Sequence, residues 1–177
     1  MPADAVIPVS VVLERRASKS PWVDHVWEPI GVLPRVALPA GAVMAEGEGF
    51  VQYHGGSLDL ELFRGETEGY LNNLSQSPPL VYVVLRRDDD TAVPENLAGL
   101  EFKPFLVTVC PYEGNGYAKG NDELVVAGVA MPLPIMAWVQ EFVAAHHVDE
   151  PFIKRKNRRH QDSDQPPPVL ARDGGLS

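Results

Sequence analysis

Cys110 is the only cysteine in the chain, so no disulfide can form within it and no thiolate cluster can hold a metal. A lone thiol suits a reducing compartment, and a cytoplasmic location is expected. Long apolar runs are missing too. The stretch from Ala5 to Leu13 is interrupted by Pro8 and Ser10 and has no basic residue ahead of it, unlike a secretory signal. No later run approaches the roughly 18 apolar residues that a membrane span needs, so no transmembrane segment is expected. Positive charge is scarce: residues 1–150 hold 9 Lys and Arg against 21 Asp and Glu, within an overall net charge of −9. A body of that sign repels phosphate backbones, which argues against nucleic acid as a partner. Paired carboxylates, a base-activated nucleophile and a cluster of metal ligands are also absent from the pattern, so no catalytic residue, cofactor or metal is assigned.

Proline, by contrast, is abundant. Seventeen are spread along 177 residues, and interior proline removes a backbone donor and clashes with the preceding turn, which forbids long helices over most of the chain. The 45% apolar content is enough for one core, and one domain over residues 1–152 is expected. Val6–Arg16 is rich in β-branched residues and reads as a strand, with Val9, Val11 and Leu13 on one face. Trp27–Val36 is extended but broken by Pro29, Gly31 and Pro34, the mark of an edge strand or a bulge. Residues 39–49 are small and flexible and read as a loop. Phe50–His54 is a strand leading into Gly55-Gly56, which suits a hairpin turn. Beyond it Ser57–Leu62 alternates, placing Leu58, Leu60 and Leu62 inward and Asp59 and Glu61 outward.

Between Gly65 and Ser77 there is room for about two helical turns with Tyr70, Leu71 and Leu74 inward, though Gly69 and Asn72-Asn73 weaken them. Leu80–Leu85 is apolar throughout and should be a central strand. Phe105–Val109 reads as another interior strand, residues 111–123 as a Gly-, Asn- and Tyr-rich loop, and Leu124–Val126 as a short strand. From Leu133 the period changes: Ile135, Trp138, Val139, Phe142, Val143 and His146 form one face of a helix. Pro132 or Pro134 opens that helix and Pro151 closes it. Residues 153–177, basic and then proline-rich, carry no apolar period and are expected to be a disordered tail. The fold class is therefore α+β and mostly β: an antiparallel meander of six or seven strands forming a barrel or half-barrel, capped by a C-terminal helix.

Three stretches carry a family likeness: Ser20-Pro-Trp-Val-Asp-His-Val-Trp-Glu-Pro29, Gly55-Gly-Ser-Leu-Asp-Leu-Glu-Leu-Phe-Arg64, and Cys110-Pro-Tyr-Glu-Gly-Asn-Gly-Tyr-Ala-Lys-Gly120. They resemble the proteobacterial domain-of-unknown-function family 3305, over about Val6 to Lys156. The resemblance implies an accessory role beside a molybdenum-dependent formate dehydrogenase, near which members of that family are often encoded. It supplies no catalytic residues.

Four groups of residues could carry contacts. Trp22, His25 and Trp27 could form an exposed aromatic patch, or the indoles could close one end of the core. In the 110–123 loop, Gly114, Gly116 and Gly120 permit close approach of a ligand, while Tyr112, Glu113, Tyr117, Lys119 and Asp122 offer polar chemistry. Its glycine spacing matches neither dinucleotide nor phosphate-loop patterns, and Cys110 has no histidine near it in sequence, so a buried, inert thiol is expected. His146 and His147 are adjacent and point to different faces, which suits a helix C-terminus better than a shared metal ion. Finally, Lys154, Arg155, Lys156, Arg158 and Arg159 could dock on an acidic protein partner or remain a solvated tail. Two functions stay open: a non-enzymatic binding or accessory protein with a protein partner, or a small-molecule enzyme using loop 110–123 with Lys119 as charge partner. The oligomeric state is not fixed by the pattern.

Overall fold

The computed structural model describes residues 2–22, 24–87, 100–117 and 124–148. All of these but Val148 belong to one unit, Met1–His147. The basic run at 154–159 and the rest of the C-terminal segment lie outside the described residues.

The first strand, β1 (Ala5–Ala17), lies between β2 (His25–Pro34) and β4 (Phe50–Leu62), with β3 (Val43–Gly47) outside β4. A second antiparallel sheet has β5 (Leu80–Arg87) at its centre, flanked by β6 (Phe102–Thr108) and β7 (Leu124–Ala130). β6 runs near β4 and β7 near β2, yet no ladder joins the sheets. Of the expected barrel or half-barrel, no closed barrel forms among the described residues, and the expected meander is corrected to two sheets in which β1 pairs with β4 and β5 with β7, strands that do not directly follow them in sequence. β5 is central as read from its apolar run, whereas β6, expected inside, is an edge strand with Phe105 exposed.

The Gly55-Gly56 pair makes no hairpin. β4 continues through it, and the pairing slips: Ser10 opposes Ser57, but Val12 opposes His54, so β4 carries one residue more than β1. This bulge resets the side-chain phase. Tyr53 and Leu58 are five residues apart and would point to opposite faces of a regular strand, but the extra residue returns both to the inner face. Gly56 sits at φ +112°, and a Cβ on Gly55 would come within 2.8 Å of Leu13 Cγ, so only glycine fits either place without strain. Leu60 and Leu62 are buried and Leu58 half-buried, with Asp59 and Glu61 exposed, as the alternation predicts. β2 is an edge strand that also shifts register, opposite Val12/Leu13.

Because β1 and β4 stand between β2 and β3, the link at 35–42 must cross them. It does so on the face away from the core, where Val36 N donates to Ser10 Oγ (3.0 Å) and the Pro39 carbonyl lies 3.3 Å from His54 Nδ1. Ser10, Val12 and His54 are buried beneath it. The 39–49 segment read as a loop therefore ends in a strand, β3, which takes its form from pairing with β4 rather than from its own small residues.

A 3₁₀ turn at Arg64–Glu66 leads into α1 (Thr67–Leu74). Tyr70 is buried and Leu74 half-buried against the core as expected, but Leu71 faces outward, and the other interior places go to Thr67, Gly69 and Asn73. Asn73, completely buried, donates through Nδ2 to the carbonyls of Leu80 (2.7 Å) and Val109 (2.8 Å) and accepts through Oδ1 from Leu80 N (2.8 Å). One amide thus ties α1 to the start of β5 and the segment leaving β6. Residues 111–117, expected to be loop, form a short helix, α2 (Pro111–Tyr117). The last helix, α3 (Leu133–His146), follows the sequence period: Ile135, Val139, Phe142 and Val143 are buried, while Trp138, expected at the centre of the stripe, is only half-buried at its margin. Among the described residues no helix is long and apolar enough to cross a membrane.

Leu60→Ala should destabilise the protein by about 2–5 kcal/mol in denaturant unfolding, the range for a buried leucine truncation. Asn73→Ala should cost about 3 kcal/mol, because three interior backbone groups lose their partner at once. A loss under about 0.5 kcal/mol in the same measurement would show that α1 is held by apolar packing alone.

Candidate functional site

α1 lies between α2 and α3. On one side the Tyr70 ring meets the edge of Phe142 (6.2 Å between centroids), and Thr67 Oγ1 lies 3.0 Å from His147 Nδ1. On the other side Asn72 Nδ2 donates to Tyr112 Oη (2.8 Å), with the Tyr112 ring beside Gly69. Tyr112 is 64% exposed and Leu71 38% exposed, so an aromatic and an aliphatic side chain stand on adjoining helices. Beneath them the polar groups are engaged. Thr108 Oγ1 donates to Glu113 Oε2 (3.0 Å) and accepts from Cys110 N (3.1 Å). Tyr70 Oη accepts from Phe63 N (2.9 Å) and donates to Glu66 Oε2 (3.2 Å).

The electrostatics of this corner follow from burial and from like charge. Burial raises the Glu113 carboxyl above its ordinary range, the Thr108 hydroxyl partly offsets this, and the charges of Glu66 and Glu61 add to it. Burial likewise pushes the Tyr70 phenol up, so it stays protonated and a donor. Chemically, the corner can hold a proton on Glu113 more readily than an exposed glutamate would. Among the described residues no group of three His, Cys, Asp or Glu is placed to hold a metal ion.

The glycines of this segment do not all leave room for a ligand. A Cβ on Gly114 would fall 2.7 Å from the Tyr82 ring, so this glycine lets α2 lie on β5. Gly116 is open, and Tyr117 packs edge-on against Phe105 (6.3 Å). Lys119, Gly120 and Asp122 lie outside the described residues. Cys110 is buried at the end of β6, next to α2.

The other aromatic group is not presented as one surface. Trp22 is 91% exposed and His25 is exposed at the start of β2, but Trp27 is 6% exposed and belongs to the core. Its indole stacks on Tyr53 (5.7 Å, 29°), and the Arg15 guanidinium lies over both rings, 5.9 Å from the first and 5.5 Å from the second. On the opposite face of β1, Glu14 is bonded to Arg16 and accepts from Gln52 Nε2 (3.0 Å); the Arg16 bond holds its carboxyl below the ordinary range. Arg15, Tyr53, Asn73 and Thr108 were not legible as site residues. For Arg15 a signal existed: it continues the inward row Val9, Val11, Leu13, and a charge in an apolar row is informative.

A family model described as "Protein of unknown function (DUF3305)" matches residues 8–156. The chain belongs to the DUF3305 family. No curated protein and no solved structure matches it. The match takes in the Tyr112 corner, the Arg15 corner and both glycine devices, so these features lie within the DUF3305 domain itself.

Glu113→Gln tests the charge at the α1–α2 corner. A carboxyl whose pKa is raised on folding costs stability once pH exceeds its ordinary value, and costs nothing when it is protonated in both states. The variant should therefore melt higher than the parent at about pH 7.5, and the difference should vanish at about pH 3.5, below the ordinary glutamate pKa. An equal gain at both values would assign the effect to packing.

Proposed function

We propose that this protein is a non-enzymatic binding or accessory module that docks on a protein partner through the α1–α2 face. The observation that carries the reading is the fixed display of Tyr112, exposed yet held at 2.8 Å by Asn72, whose neighbour in α1, Leu71, is exposed as well. Tyrosine is favoured at interface hot spots, and a ring already held in place loses little freedom on binding. The resemblance in sequence makes a molybdenum-dependent formate dehydrogenase the first partner to test, with the basic run Lys154–Arg159 as a separate electrostatic contact.

A second reading, a small-molecule enzyme built on residues 110–123, has one observation in its favour: the raised carboxyl of Glu113. Against it, Gly114 is filled by Tyr82, and Thr108 already occupies one oxygen of that carboxyl.

Binding of the purified full chain to the formate dehydrogenase of the same cell, followed by calorimetry, tests the first reading. Tyr112→Ala and Leu71→Asp should each weaken association by about 2 kcal/mol, the hot-spot threshold, with the melting temperature unchanged. No association by the parent, or equal association by both variants, would remove the α1–α2 face as the docking surface.

A further inference from the structure

The inner row of β1 ends in a cation where another apolar residue would continue the core. Arg15 stands directly across the β1–β2 ladder from Trp27, so the two side chains share a face, and Tyr53 of β4 completes the corner. The guanidinium carbon lies 5.9 Å from the Trp27 ring centre and 5.5 Å from that of Tyr53, so one cation rests against both aromatic faces, a contact that restrains a side chain otherwise rich in rotamers. Two facts set this corner apart. Arg15 has no carboxylate within salt-bridge distance among the described residues, although the body is strongly acidic and its neighbour Arg16 is paired with Glu14. Among the described residues Trp27 Nε1, like His54 Nε2 elsewhere in the sheet, is buried without a hydrogen-bond partner, a state that native proteins rarely leave uncompensated. Among the described residues, then, a guanidinium without a carboxylate partner and an indole donor without an acceptor occupy one corner.

We propose that the Arg15–Trp27–Tyr53 corner binds an oxyanion, the carboxylate or phosphate group of a small molecule. Arg15 supplies charge and a bidentate edge, Trp27 Nε1–H supplies a third donor, and the aromatic bed keeps the guanidinium in position. A planar carboxylate matches the fork with two parallel bonds; a phosphate offers the same fork two of its oxygens and has others for the indole. The site is independent of the α1–α2 face and involves none of the residues proposed to dock there.

The test follows the Trp27 indole N–H by proton–nitrogen NMR in the full chain, with the resonance assigned by Trp27→Phe. Acetate and inorganic phosphate are titrated separately, each against sodium chloride at matched ionic strength. The proposal expects a saturable shift of the Trp27 N–H with at least one of the two, none with chloride, and none at the Trp22 and Trp138 indoles. Which of the two saturates at lower concentration identifies the carboxylate or the phosphate as the ligand group. Arg15→Gln should weaken the response by about tenfold or more, as expected for loss of a charge-assisted contact, and Arg15→Lys, keeping charge without the fork, should lie between. No saturable shift in the parent, or the same shift with chloride, overturns the proposal without recourse to any variant. A response of parental strength in folded Arg15→Gln overturns it as well.

Discussion

A single buried amide fixes where the helices stand. Asn73 satisfies both backbone groups of Leu80 and the carbonyl of Val109, so the end of α1, the start of β5 and the exit from β6 meet at one side chain. An amide offers two donors and an acceptor in a rigid plane, and here all three contacts lie in the interior, where geometry is enforced by the cost of an unmade bond. Both flanking helices take their positions from α1. Asn72, one residue earlier on the same turn, holds Tyr112, and Tyr70 meets Phe142. The exposed face proposed for docking is thus the outer side of an arrangement whose inner side is pinned by Asn73.

The parts of the fold that were legible in sequence are those where one local rule acts alone. The alternation of Leu58, Leu60 and Leu62, the unbroken apolar run of β5 and the 3.6-residue period of α3 each imply one geometry. What was not legible depended on partners distant in the chain. Gly55-Gly56 permits a turn and a bulge equally well by conformation, and only the pairing of β1 with both halves of β4 decides between them. Residues 43–47 have little strand character of their own and are ordered by β4. Asn73 reads as a weak helix former because propensity measures the exposed case, whereas here its amide replaces backbone partners.

The candidate sites divide along the same line. Residue type pointed to Tyr112 and Glu113, of which the first is exposed and held by Asn72 and the second is bonded to Thr108, but glycine content suggested a ligand loop where a helix packs on Tyr82. Proximity in sequence grouped Trp22 with Trp27, and the ladder instead paired Trp27 with Arg15. In an acidic chain the informative cation was the one that shares its face with Leu13, Trp27 and Tyr53 although Glu14 and Arg16 flank it in sequence, and that criterion needs the face of the strand, not its composition.

The order of the first sheet also shapes how it can assemble. β1 pairs with β2 across a short connection, but its other ladder joins Ala5 to Leu62 and closes a loop of most of the intervening chain. Loop closure of that span must precede the contacts that stabilise it, which places the sheet among slow, non-local topologies. During synthesis the β1–β2 hairpin emerges first and presents one unpaired edge of β1 until Phe50–Leu62 has left the ribosome. The link at 35–42, which later lies across the outer face, is therefore made before the strand over which it must close, and its seating on His54 cannot precede the arrival of β4.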